Sequence, residues 1–245
     1  MRTLWIALGA GAYLAFVIAL LPADAAYRWL APDDVRLSGV QGTLWSGRAA
    51  LGSAGSLGFH NIRWDVHPWS ILLARPGGRI ETGLGDGFLQ AEVRIGADGI
   101  TISDASASCS LSAFASVLPI AGIRGQVSLQ LGELVLRDGL PDAARGQLRL
   151  GQLTVPSLVG GGPILLGNFN VTLSGTGGLQ GTFEDQGGPL QVRGSADLTS
   201  AGDYEIRGLV QARPEADAAL RRGIELVTGE PNDAGMRPFN FSGSL

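Results

Sequence analysis

Downstream of residue 36 apolar and polar residues alternate along most of the chain. The period is two, as expected of strands with one face turned to a core. Gln126-Val127-Ser128-Leu129-Gln130-Leu131 alternates strictly, and Leu134-Val135-Leu136 continues it. The same reading predicts strands at 79–84, 88–95, 100–107, 146–155, 164–174, 179–184, 190–198 and 204–212, with a last one at 238–245. Gly85-Asp86-Gly87 and Ala97-Asp98-Gly99 have the chemistry of hairpin turns. Segments 36–40 and 43–51 flank Gln41-Gly42 and predict a further hairpin. In 57–66, Phe59, Asn61, Arg63 and Asp65 fall on one side, and His60, Ile62, Trp64 and Val66 on the other. The second side is mostly apolar, and Phe59 breaks the division.

Three short helices are expected among the strands. His67 to Ala74 carries Pro68 in its first turn and stops at Pro76-Gly77-Gly78. Ser110 to Leu118 has Ser110 as N-cap and Pro119 as stop. A third begins at Pro214, with Glu215 and Asp217 in its first turn and Arg221 and Arg222 nearer its C-terminus, an order that suits the helix dipole.

The N-terminus differs from all of this. No charge occurs between Arg2 and Asp24. Residues 4–23 are apolar on every face and long enough to cross a bilayer, which takes about 20 residues. A cleaved export signal would use Ala23-Asp24-Ala25-Ala26 as its cut site. A retained anchor accounts better for the long apolar core, for Arg2 at its positive end, and for Tyr27 and Trp29 at the far interface. The expected layout is a cytoplasmic 1–3, a transmembrane 4–23, a juxtamembrane linker 24–35 and an exported β domain 36–245.

Composition sharpens this picture. The 245 residues include 38 glycines and 12 prolines, with 45% hydrophobic residues. Spaced glycines among Val, Ile, Leu and Thr suit many short strands with tight turns. The net charge is −4 and every basic residue is arginine, without a basic run, so nucleic acid is not an expected partner. The single cysteine, Cys109, excludes an internal disulfide and a cysteine metal site.

An Arg-Gly dipeptide recurs at strand-like positions: Arg124-Gly125, Arg145-Gly146, Arg193-Gly194 and Arg207-Gly208. The spacing is irregular, so no solenoid of fixed period is indicated. Glycine here marks strand starts or bulges and arginine faces solvent, or else the units stack edge to edge into a long curved sheet.

Catalytic chemistry does not assemble. His60 and His67 are seven residues apart without a third ligand. The Gly-rich stretch 175–181 lacks the lysine of a phosphate loop, and no Gly-x-Ser-x-Gly elbow occurs. Acidic residues such as Asp86, Asp98, Asp138 and Asp185 sit in predicted turns, where carboxylates are ordinarily solvated. An enzyme is not expected, and neither is a cofactor or metal.

One stretch is more specific. Gly42-Thr43-Leu44-Trp45-Ser46-Gly47-Arg48-Ala49, with Leu37-Ser38-Gly39-Val40 before it and Ile62-Arg63-Trp64-Asp65-Val66-His67-Pro68-Trp69-Ser70-Ile71-Leu72-Leu73 after it, resembles the type II secretion system protein N family. The motif specificity lies in residues 37–73; the layout agrees over nearly the whole chain. The resemblance implies a single-pass inner-membrane protein with a periplasmic β domain similar to AsmA-type proteins. That domain would be a long, twisted, curved antiparallel sheet forming a groove, with a few short helices. The implied function is that of an accessory subunit exporting folded proteins, with other secretion subunits and the inner membrane as partners. An AsmA-like lipid-binding or lipid-transfer groove is the alternative, with lipid as a further ligand. No catalytic residue carries over. Gly42, Thr43, Leu44, Trp45, Ser46, Gly47, Trp64 and Pro68 are the family-motif residues, and the residues themselves suggest a structural role: a tight turn and a strand whose Trp45 packs beside Trp64 and Trp69.

Overall fold

The computed structural model describes residues 9, 13, 16–17, 19–30, 35–68, 70, 76–116, 121–157 and 162–244. Among them, helix α1 (Ala23–Leu30) leads into β1 (Val35–Ser38), β2 (Gln41–Gly42), β3 (Ser46–Ala54), β4 (Leu57–Val66), β5 (Gly77–Leu84), β6 (Gly87–Gly96) and β7 (Gly99–Ser110). A 3-10 turn (Leu111–Phe114) precedes β8 (Arg124–Arg137), β9 (Leu140–Val155), β10 (Ile164–Ser174), β11 (Gly178–Asp185), β12 (Leu190–Thr199) and β13 (Asp203–Ala212). Helix α2 (Ala218–Val227) and β14 (Arg237–Ser244) complete the chain.

All these strands belong to one antiparallel sheet. Its order follows the sequence from β1 and β3 to β14, with the two-residue β2 pairing β3 beside β1. The fold is mainly β, as the alternation predicts. Neighbours in sequence are neighbours in space, which is the simplest way to satisfy each strand's backbone donors and acceptors. The sheet is open, with β1 at one edge and β14 at the other.

Register turns the alternation into two faces. One cross-strand row runs Thr82, Leu89, Ala107, Leu129, Leu148, Val171, Phe183, Gly194, Gly208, Phe239. Its neighbour runs Arg48, Arg63, Glu81, Gln90, Ser106, Gln130, Gln147, Thr172, Thr182, Ser195, Arg207, Asn240. The first row is apolar apart from Thr82 and the second is polar throughout, so one face of the sheet is apolar and the other solvated. Thr82 is buried, and its hydroxyl donates to the His60 and Gly83 carbonyls.

The apolar face supports two clusters. Ala91, Ala105 and Leu131 form one, with Val93, Ile102, Leu129, Leu134 and Leu173 packed against them. The larger one joins Ile164, Phe169, Leu190, Val192 and Val210 to Ala216, Leu220 and Ile224 of the α2 region. Helix α2 therefore lies over the apolar face of the last strands, at the end of the sheet opposite the entry of the N-terminal segment. At that entry the Leu44 N–H donates to the Leu21 carbonyl (2.9 Å) and Pro22 bridges Thr43.

Several expectations change. The reversal near residue 42 is made by 43–45, between β2 and β3, and not by Gln41-Gly42. Thr43 and Trp45 therefore share a turn, not a strand face. Asn61 adopts φ +52° where the β4–β5 register shifts, a bulge that returns Phe59 to the side of Ile62 and Trp64. That resolves the break in alternation. Segment 110–118 forms only the 3-10 turn among its described residues, although Ser110 caps it as expected, its side chain accepting from the Ser112 N–H. Helix α2 starts later than Pro214: Asp217 is its N-cap, accepting the Leu220 N–H at 2.6 Å, and Pro214 and Glu215 lie in the preceding turn. β9 begins at Leu140, well before 146. Residues 24–30, which read from the sequence as a linker or a juxtamembrane helix, are helical as part of α1.

Most of the 4–23 segment and of the 67–74 segment lies outside the described residues. Among those described, no helix is long and apolar enough to cross a membrane.

Candidate functional site

The motif residues meet where the N-terminal segment joins the sheet. Thr43 closes the turn: its N–H and hydroxyl donate to the Ser46 carbonyl (2.9 and 3.3 Å), and its Oγ1 accepts the Ser46 N–H (3.1 Å). Gly42 has φ +94°, and a Cβ there would lie 2.6 Å from the Ser46 oxygen, so this position demands glycine. Trp64 crosses from β4. Its indole N–H is shared between the Leu44 and Thr43 carbonyls (3.1 and 3.3 Å), and its ring lies where a Cβ on the cross-strand partner Gly47 would be. The Trp45 carbonyl accepts the Val66 N–H at 2.6 Å, and its ring is half-buried. Gly42, Thr43, Leu44, Trp45, Ser46, Gly47 and Trp64 are thus brought together. Pro68 is exposed at the start of the next segment, and Trp69 lies outside the described residues.

Tyr27 of α1 extends this end of the sheet. Its hydroxyl donates to the Val35 carbonyl (3.1 Å) and accepts the Leu37 N–H (3.0 Å), occupying successive outward groups of β1. The sequence signal for Tyr27 is interfacial aromatic character, which carries no information about a strand ten residues away.

At the opposite end, Asp185 ends β11 on the apolar face. Its carboxylate accepts from the Val192 N–H (3.0 Å), the Gly187 N–H (3.2 Å) and the Arg213 guanidinium. Arg213 also donates to the Gly188 and Leu190 carbonyls (2.7 and 3.3 Å). Burial raises the carboxyl's pKa, but the bonds from Arg213, Val192 and Gly187 outweigh it and hold the value below the ordinary carboxylate range. Asp185 is therefore no solvated turn residue. It ties the 186–189 loop to the segment that leads into α2. Asp86 likewise accepts the Ser110 N–H at 2.8 Å.

Between α2 and the sheet lies an apolar cavity of about 320 Å³, bounded among others by Ile164, Leu190, Leu220, Ile224, Phe239 and Phe241. Thr228, the polar side chain among its walls, donates its hydroxyl to the Ile224 carbonyl at 2.6 Å. The cavity offers contact to apolar groups and nothing to orient a polar one. Among the described residues no three His, Cys, Asp or Glu side chains converge as metal donors. Cys109 is buried, and burial followed by the charge of Asp86 pushes its thiol pKa up.

The fold and these features define an open meander-sheet protein that presents an apolar face, a polar face and sheet edges to its surroundings. The model of the family described as type II secretion system (T2SS), protein N matches residues 33–240, and the chain belongs to that family. Family membership gives it an accessory role in type II secretion. It is 26% identical over 242 residues to type II secretion system protein N of Aeromonas hydrophila, covering 96% of this chain and 95% of that one. The corresponding protein N of Vibrio cholerae serotype O1 is 25% identical, with 94% and 93% covered. That of Pectobacterium carotovorum subsp. carotovorum is 23% identical, with 96% and 94% covered. No solved structure matches the chain.

Proposed function

We propose that this chain is an inner-membrane accessory subunit of the type II secretion machine. Its N-terminal apolar segment is the single-pass anchor, the sheet lies in the periplasm, and the protein contacts other subunits there, acting by binding and not by catalysis. The family match over 33–240 carries this reading. The pairing of Leu21 and Pro22 with Leu44 and Thr43 supports it, because it seats the motif turn directly beside the end of the apolar segment. Mild cross-linking in membranes and pull-down of the tagged full chain are expected to recover other secretion subunits, with the chain resisting carbonate extraction. Recovery of none of them, or release into the soluble fraction, counts against the proposal.

The ten-strand row ending at Phe239 favours a second reading, a lipid-binding or lipid-transfer groove, because Leu89, Ala107, Leu129, Leu148 and Val171 in it stay half-buried outside the reach of α2. Acyl chains match such a surface and the cavity beside it. On this reading mass spectrometry of the purified full chain finds phospholipid near one equivalent or more; lipid at background level sinks it.

A further inference from the structure

The two edges of the sheet are treated differently. At β1 the edge is four residues long, and Tyr27 occupies the Val35 carbonyl and the Leu37 N–H. At β14 the edge is eight residues long and 240–244 are exposed. Pro238 has no N–H to give β13, and its carbonyl accepts the Gly229 N–H at 3.0 Å, so it faces away from β13. Backbone direction alternates along a strand, so Asn240 and Ser242 also turn their N–H and C=O outward. Phe241 lies on the apolar face and is 50% exposed, near Val227 at 52%, which shares the cavity wall with it. Pro238 blunts only the first outward position; beyond it, the outward groups of Asn240 and Ser242 and the exposed Phe241 make an edge of the kind that sheet proteins otherwise blunt.

We propose that β14 pairs antiparallel with β14 of a second copy of this chain, about a two-fold axis at Phe241. The segment is self-complementary in this register. Asn240 lies opposite the copy's Ser242 on the polar face, and the two exchange both N–H···O bonds; symmetry repeats the pair. Pro238, which has no N–H, falls outside these bonds. Phe241 faces the copy's Phe241 at a non-hydrogen-bonded position, where side chains approach most closely. Phe239 comes opposite the copy's Gly243, over which the Tyr204 ring already lies. The apolar and polar rows then run on unbroken into the second sheet. Because Tyr27 closes β1, growth stops at two copies, which is the closed, isologous case.

Cysteine cross-linking tests this directly, since the one native thiol, Cys109, is buried. Across the axis the two Cα atoms at 241 would be about 4.5 Å apart, inside the disulfide range. In membranes carrying the full chain, Phe241→Cys is expected to give a disulfide-linked dimer under mild oxidation as its main product. Phe88→Cys, exposed on the polar face, gives several-fold less. Adding Asn240→Pro to Phe241→Cys removes an outward N–H and abolishes the link without changing the thermal melt. Light scattering on the detergent-purified wild-type chain reads two copies per particle, independently of whether the cysteine variant folds. A single copy per particle overturns the proposal. So does equal linkage from position 88, a dimer that survives Asn240→Pro, or a cross-link to a different protein in place of the dimer.

Discussion

Asp185→Asn is expected to lower stability by about 2–3 kcal/mol at neutral pH, the scale of losing charge-assisted hydrogen bonds at a largely buried site. The Asp185 side chain is 10% exposed and that of Arg213 28%, so solvent screens this pair far less than the other ion pairs of the sheet. The amide retains one acceptor oxygen, enough for Val192, but it turns a donor toward Gly187 and Arg213. Arg213 is then left half-buried with only carbonyls around it. The pH dependence follows from the depressed carboxyl pKa. The folded state favours the ionised form, so the contribution is complete above the unfolded value of about 3.9. It is lost as pH falls through the lower, folded value. Urea unfolding of both proteins should therefore show a constant deficit above about pH 5 that shrinks toward pH 3 and below. A deficit that stays the same into acid would mean that Asp185 acts through shape and not through charge.

Asp185 also shows where the sequence stops being informative. Its neighbours Gln186-Gly187-Gly188 mark a turn, and a turn carboxylate is ordinarily solvated. What buries it is Arg213, 28 residues on, delivered by two intervening strands. The strands themselves are legible because alternation and turn dipeptides are local. Boundaries fail where a local signal misleads. The strand predicted from 146 begins at Leu140, so Pro141 and Asp142 lie in β9, while Asp138 sits in the turn as expected. By contrast, Leu134-Val135-Leu136 continues β8 as the alternation predicts, across a register shift between Leu131 and Glu133. Gln41-Gly42 looks like a hairpin turn, but the Thr43 side chain makes a better one three residues on. The motif turn was visible as a motif, and Trp64 was visible as its companion. Only the structure gives the reason for the spacing: the indole reaches over Gly47 to the two carbonyls of the turn. The two faces and the unequal edges depend on register across the whole sheet. They could be expected in kind from alternation, but not assigned to Tyr27 or to β14.

Gly208→Val is expected to cost about 2–3 kcal/mol, as overpacking of a filled position does. The Arg-Gly recurrence acquires its physical meaning here. Arg193 and Arg207 are exposed on the polar face, as the sequence predicts, while Gly194 and Gly208 lie directly opposite one another on the apolar face. Phe183 is the cross-strand partner of Gly194 and Phe239 that of Gly208, and each ring lies over its glycine. The two rings stack with centroids 6.3 Å apart. A Cβ on Gly208 would sit 2.6 Å from Phe239 Cζ and 2.7 Å from the Arg193 carbonyl oxygen. The glycines thus leave a trough in which neighbouring aromatics lie flat, which joins four strands by side-chain contact as well as by backbone pairing. Phe239→Ala alone should cost about 2–3 kcal/mol, below the value for a fully buried ring. In the double variant the valine takes up space that the ring has vacated, so the combined loss should fall short of the sum by about 1–2 kcal/mol. The shortfall is incomplete because the Arg193 carbonyl remains in the way. Strict additivity in a double-mutant cycle by urea unfolding would show that the glycine serves the backbone alone and that the ring above it is incidental.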